Sequence, residues 1–323
     1  MSHNLLKFIA KFLFLALAMN LSAQAYGFGS NKSLFFTISL FWEGSHIHAH
    51  NIEYIRTLRE QYPALQINHF VSPVYFSDPQ QATQNKEALL ATIKDGDQVG
   101  ILVSPHHTIT KRANIVHRNA PSFWGANELS CGEKCGSTVP LSVYSEDEIS
   151  KIFHISRSMI ESQGISLSRS FAVSGWQFSV KIVKAASRSG FKYDWSAIPP
   201  SRIQRRLKSF PIYQWTIENW REFESSFQAR KLASSKEALV VIPQTGGAID
   251  FNTSSEIFRY FEQTKSQAAE QATLFNLVIY QETLSTYFPR LQETLDKLLT
   301  PKQDHNVALT FDWASYRNTL NSN

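Results

Sequence analysis

Short apolar runs rich in β-branched and aromatic residues punctuate this chain: Leu34 to Leu40, Ile67 to Val71, Val99 to Val103, Ser170 to Val173, Tyr193 to Ile198, Leu239 to Ile242, Leu274 to Ile279 and Val307 to Phe311. Each has the length of a strand, and an unbroken apolar run is what a strand covered on both faces requires. Between them the apolar residues fall at helical spacing. Ile52, Ile55, Leu58 and Tyr62 make one stripe that ends at Pro63, since the residue before a proline is pushed out of helical geometry. Ser145 and Glu148 form a capping-box pattern ahead of Ile149, Ile152, Phe153 and Met159, with Gly164 as the stop. Thr253 and Glu256 repeat the pattern ahead of Ile257, Tyr260 and Phe261. Lys181 to Ser189 runs to a stop at Gly190. Strand and helix in alternation predict βα units on a parallel sheet. About eight of them predict an α/β fold, a (β/α) barrel of irregular, seven- or eight-stranded form.

The chain's ends and loops change this picture in part. Lys7 and Lys11, the apolar run Phe12 to Leu21 and the small residues of Ala23-Gln24-Ala25 match the three regions of a secretory signal, so residues 1–25 read as a cleaved leader. A retained N-terminal anchor is the alternative, although the run is short for a bilayer. No later segment is apolar enough to span one. The expected mature protein, residues 26–323, is a single barrel domain, periplasmic or secreted, with no stable membrane span. The net charge is +5, and losing Lys7 and Lys11 with the leader brings it to +3, too weak a bias to imply nucleic acid or an anionic membrane. The basic run Arg202 to Lys208 reads as solvated surface. The stretch 108–140 is long, weakly periodic and contains Trp124 and several glycines; such a loop in a compact domain reads as a lid or a binding excursion. Its two cysteines, Cys131 and Cys135, are the only ones in the sequence. In an exported chain they predict a small disulfide loop, with a free redox pair as the alternative.

Ser170 to Pro200 is the most specific stretch. A strand runs into a Gly175-Trp176 turn, a helix follows to Gly190, and a second strand delivers Asp194, Ser196 and Pro199-Pro200 to the same rim. α/β sheets bind ligands at that rim. The unit resembles the third and fourth conserved blocks of the polysaccharide deacetylases, the NodB-like carbohydrate esterases. There, a strand ending in Phe-Arg-x-x-x-Trp or Phe-Arg-Ala-Gly-Gly-Trp leads through a helix to a Gly-Phe-x-x-Asp-x-Ser strand. Ala172 stands here at the arginine position. In barrel order the resemblance extends from about Leu34 to Phe311. It implies a protein that acts on or binds an acylated glycan, using a divalent metal such as zinc held by an Asp and two His, a second Asp as base and a late His as acid.

Against those blocks the chain keeps scaffold positions and changes chemical ones. The first block corresponds to Thr37-Ile38-Ser39 through Glu43-Gly44, where Glu43 is the one carboxylate. The second corresponds to Gly100 through Pro105, which places Leu102 and Ser104 at the ligand positions. The late strand, Leu277 through Thr283, carries Tyr280 where the family keeps its acid histidine. The resemblance therefore implies a divergent member without the usual metal triad. Any hydrolysis would fall to Glu43 as base or ligand and Tyr280 as acid. The alternative is a non-catalytic glycan-binding or scaffold protein of envelope or exopolysaccharide assembly.

Histidines offer a substitute centre. Seven of the ten lie between His46 and His117. In an extended segment His46, His48 and His50 share one face and could hold a zinc or copper ion beside Glu43, which would also suit a secreted metal-binding protein. His106 and His107 follow a strand end, the place for a ligand or for a carbonyl-capping imidazole. Solvated loop histidines are the alternative reading, and then no cofactor is needed. Trp42, Tyr75, Trp124, Trp176 and Trp195 fall at or just beyond strand ends or in the long loop. Aromatic faces there suit the C–H faces of sugar rings, and Asp194 could bond hydroxyls.

Overall fold

The structure, a computed structural model, describes residues 33–44, 46–125, 138–232, 239–268, 270–299 and 308–322. Residues 1–25, expected to form a leader, and both cysteines, Cys131 and Cys135, expected to form a disulfide loop, lie outside the described residues.

The strands are β1 (Ser33–Trp42), β2 (Ile67–Val71), β3 (Gln98–Val103), β4 (Ser170–Val173), β5 (Tyr193–Asp194), β6 (Arg230–Leu232), β7 (Leu239–Val241), β8 (Gly247–Ala248), β9 (Thr273–Tyr280) and β10 (Ala308–Thr310). They form one sheet in the order β6-β7-β5-β4-β3-β2-β1-β9-β8, with β10 beside the start of β1. Every pairing is parallel except β6 with β7. The sheet curls into a half-open barrel whose edge strands, β6 and β8, are not bonded to each other. The chain between β7 and β8 bridges the opening: Gln244 reaches the β5 side through the carbonyls of Trp195 and Ala197, and Thr245 and Gly246 bond the β9 backbone at Leu274 and Asn276.

Two features depart from the sequence expectation. Strands β6 and β8 are two or three residues long, too short to leave a periodicity. The run Tyr193 to Ile198 keeps only two strand residues, because Ser196 N–H turns to the Asp194 carboxylate and Pro199-Pro200 have no N–H to give a ladder.

The helices are α1 (Ala49–Gln61), α2 (Pro79–Leu90), α3 (His107–Arg112), α4 (Glu146–Glu161), α5 (Val180–Arg188), α6 (Gln204–Leu207), α7 (Pro211–Trp220), α8 (Ser254–Ala268), α9 (Leu284–Leu299) and α10 (Trp313–Ser322). The capping box of α4 forms in full: Glu148 N–H donates to Ser145 Oγ at 3.2 Å, and Ser145 N–H to Glu148 Oε2 at 2.7 Å. Thr253 and Glu256 exchange the same bonds before α8.

Strand alternation divides the core in two. Leu34, Phe36, Ile38, Leu40 and Trp42 of β1 face the helical layer, while Phe35 and Phe41 face the barrel interior with Phe70, Leu102, Ala172, Trp195 and Val278. Helix α10 closes the amino end of the barrel. Trp313 packs on Trp195 at 4.7 Å between ring centroids, Tyr316 on Phe35 at 5.2 Å, and Trp313 N–H bonds Gln66 just before β2. Of the two barrel ends, the carboxyl end carries a cavity.

A buried polar network ties α1 to the sheet. Asp97 accepts from Arg59, from the N–H groups of Ile67 and Lys94, and lies 3.5 Å from His69 Nε2. Trp42 Nε1 donates to His69 Nδ1 at 3.2 Å, which leaves the His69 proton on Nε2, facing Asp97. Burial pushes the imidazole pKa down, so it stays neutral. The basic run needs one correction. Arg202 is buried, stacked on Tyr260 at 3.5 Å and bonded to Thr245 and Gln263; fixed carbonyls and a ring face replace the water expected around it.

Candidate functional site

Four parallel strands end around one cavity of about 420 Å³ at the carboxyl rim of the barrel. Glu43 and Gly44 come from the end of β1, Gly175 and Trp176 from β4, Asp250 and Phe251 from β8, and Tyr280, Glu282 and Thr283 from β9. The long connection after β3 lays Phe123, Trp124 and Thr138 over it, and α7 adds Ile212. Part of the excursion foreseen at 108–140 thus forms a wall of the cavity. Two other depressions, of about 620 and 670 Å³, lie among the outer helices around Arg202 and Arg259 and around Glu161 and Arg188, away from the strand ends.

The β4 turn aims Trp176 into this space. Gly175 has φ +74°, and a Cβ there would meet the Phe123 ring at 2.3 Å, so only glycine fits. Trp176 itself has φ +51°, an uncommon conformation for a bulky residue. Three contacts hold it: its Nε1–H donates to Gln244 Oε1 at 3.0 Å, Trp220 Nε1–H donates to its carbonyl at 2.6 Å, and Phe251 packs edge-on at 5.6 Å. Strain kept in place by such over-determination is common at functional sites. Trp124 is 41% exposed at the cavity mouth and packs perpendicular to Phe210, itself 37% exposed, at 5.3 Å.

Three carboxylates share the cavity. Glu282 is anchored through Oε1 by the Gly44 N–H at 2.7 Å and the Tyr75 hydroxyl, a close approach that a side chain at position 44 would obstruct. Its Oε2 has no donor. Asp250 accepts from the Thr283 hydroxyl through Oδ2, and its Oδ1 has no donor. Glu43 is half-buried; burial, with Glu282 and Asp250 adding to it, raises its pKa to about 7 against a pull downward from Ser174. Burial lifts Asp250 to about 6, with Thr283 and Arg290 opposing. Tyr280 is pushed well above its ordinary value by burial and then by the three acids. Its hydroxyl keeps its proton, a good hydrogen-bond donor and a poor general acid near neutrality.

The residues singled out from sequence divide accordingly. Glu43, Tyr280, Trp124 and Trp176 meet in the cavity. Trp42 faces the helical layer and bonds His69. Tyr75 is buried behind Glu282, donates to that carboxylate and lies against Gly44. Asp194 alternates with Tyr193 and Trp195, which point into the barrel, so it lies on the other face, fully buried, with burial raising its pKa to about 7.

The histidines lie elsewhere. His46, His48 and His50 stand together, with neighbouring ring centroids 5.2 and 5.6 Å apart, exposed at the start of α1, and His46 bonds Gln81. His106 caps α3, accepting the Thr108 N–H; burial, then His107 and His117, push its pKa to about 4. His107 packs on His117 at 5.1 Å. No group of three His, Cys, Asp or Glu side chains among the described residues is arranged to hold a metal ion. Nor does any helix among them have the length and apolarity to cross a membrane.

Sequence reasoning missed Asp250, Glu282, Phe123 and Phe251. Glu282 could have been found, since it closes the late-strand motif two residues after Tyr280. Asp250 follows a two-residue strand that leaves no signal.

No family model and no curated protein matches the sequence. Solved structures do match. One assigned as a polysaccharide deacetylase from Mycobacterium smegmatis aligns over 92% of this chain and 93% of its own, with a TM-score of 0.55 at 10% identity. The fold is that of the polysaccharide deacetylases. A second deacetylase assignment, from Pseudomonas aeruginosa PAO1, aligns over 90% of this chain and 91% of its own, with a TM-score of 0.50 at 9% identity. The allantoinase Puue covers 92% and 96%, with a TM-score of 0.51 at 10% identity. At one residue in ten identical, this deacetylase-type likeness speaks for the fold, and chemistry has to be argued from the cavity.

Proposed function

We propose that this is an exported glycan-handling protein that takes a sugar unit of an acylated polysaccharide into the cavity at the barrel mouth, and that it does so without the Asp/His/His metal triad. The observation that carries this reading is the cavity itself, with aromatic walls and three carboxylates where four parallel strands end. Aromatic faces bind the C–H faces of a sugar ring, and carboxylates accept from its hydroxyls. Export rests on the leader pattern of residues 1–25, and a periplasmic or secreted location follows from it.

The family's Asp/His/His metal centre does not fit the residues present. Leu102, at one ligand position, belongs to the apolar barrel interior. Ser104 occupies the second, Tyr280 the place of the acid, and no imidazole lines the cavity among the described residues. With Tyr280 holding its proton more tightly than usual, binding is favoured over hydrolysis. A role as the glycan-binding partner in envelope or exopolysaccharide assembly is the form this takes.

The test is calorimetric titration of mature protein with amino-sugar oligosaccharides in N-acetylated and de-acetylated form. Binding should weaken about fivefold in Trp124→Ala, which removes roughly 1 kcal/mol of aromatic contact without touching the core. No binding by the parent, or undiminished binding by the variant, would overturn the reading. Stoichiometric zinc lost on His48→Ala would favour the metal-binding alternative.

A further inference from the structure

We propose that the cavity selects, within such a polysaccharide, units whose amine is free and protonated, so that its ligand is a partly de-acylated amino-sugar chain. This rests on the reading of the cavity as a sugar site and adds the charge of the ligand. Glu43, Asp250 and Glu282 reach one space from three strand ends, and no Lys, Arg or His lines it among the described residues. Asp250 is only 8% exposed, yet its Oδ1 has no donor, and Glu282 Oε2 has none either. A buried carboxylate oxygen left without a donor is costly, and a ligand that supplies one relieves that cost. An ammonium group brings three N–H donors and a positive charge, whereas an acetamido group brings one N–H and a carbonyl oxygen that carboxylates repel. The Trp176 and Trp124 faces complete the match, since aromatic rings attract cations as well as sugar C–H groups.

Among the other charged groups, Arg290 partly offsets this field at Asp250, but it does not line the cavity and its guanidinium bonds the Ile249 and Asn252 carbonyls. The Tyr75 and Tyr280 hydroxyls both keep their protons. Burial holds Glu43 near 7 and Asp250 near 6, so an entering cation must expel protons, and its binding must strengthen as pH rises through this range.

The experiment is titration of the mature protein at pH 5 and pH 6.5 with a β-linked glucosamine tetramer, its fully N-acetylated counterpart and the corresponding glucose tetramer. At pH 6.5 the amine oligomer should bind at least about tenfold more tightly than either neutral one, and it alone should weaken about tenfold at pH 5. Glu43→Gln and Asp250→Asn should each reduce this preference and flatten the pH dependence, and the double variant should abolish both; circular dichroism checks that all three fold. Equal or tighter binding of the N-acetylated tetramer at pH 6.5 would overturn amine selection and leave the glycan reading standing. Failure of all three oligomers would overturn both.

Discussion

Replacing Glu43 by glutamine should stabilise the protein above neutrality and leave it nearly unchanged in acid. In the folded protein the Glu43 pKa is about 7, against 4.5 for an unperturbed glutamate. Below pH 4.5 the group is protonated whether the chain is folded or not, and contributes nothing. Between these values the unfolded chain has lost the proton that the folded one still holds, so stability falls with rising pH, and above about 7 the whole penalty is present. At about 1.36 kcal/mol per pH unit the gap is worth about 3 kcal/mol; cavity water screens a half-buried carboxylate, so about 2 kcal/mol is the expected gain. Urea unfolding of both proteins at pH 4 and pH 8 measures it. A glutamine variant less stable at pH 8, or a difference that is the same at both pH values, would refute the reasoning by showing Glu43 to be solvated. A stabilising substitution that abolishes amine binding would place Glu43 among residues kept for function at the expense of stability.

Three further substitutions probe the frame around the cavity. Asp97→Ala strands the buried Arg59 guanidinium and two backbone donors, and should cost about 3–5 kcal/mol in urea unfolding; less than about 1 kcal/mol would show the charge reaching water. Gly175→Ala forces a Cβ into the Phe123 ring at a φ of +74°, and should cost at least about 2 kcal/mol and weaken glycan binding; unaltered stability and affinity would mean that the turn relaxes freely. Trp313→Ala empties the amino end of the barrel, which Trp313 fills at 2% exposure, for about 3–5 kcal/mol; oligosaccharide affinity should persist, because the plug and the cavity lie at opposite ends.

How far the sequence was legible follows the range of the forces involved. The capping boxes at Ser145 and Thr253, the glycine stops at Gly164 and Gly190 and the proline stop after Gln61 all formed where the sequence placed them, because each depends on residues within one turn. The long apolar runs became strands for a similarly local reason, and their alternation with helices was enough for the barrel. Trp42 and Asp194 show where locality ends. Both stand at strand ends as expected, but a shift of one position turns a side chain to the other face of the sheet, and neither lines the cavity.

The sequence by itself therefore determined the longer strands, the capped helices between them and their order, since these follow from spacing, caps and apolar runs. Only the tertiary structure decided that Glu43, Asp250 and Glu282, separated by up to 239 positions in the chain, crowd into one aromatic cavity, and that His46, His48 and His50 stay outside it. Burial and mutual repulsion, which set the charge of those carboxylates, belong to the assembled site and leave no mark on any local stretch of the chain.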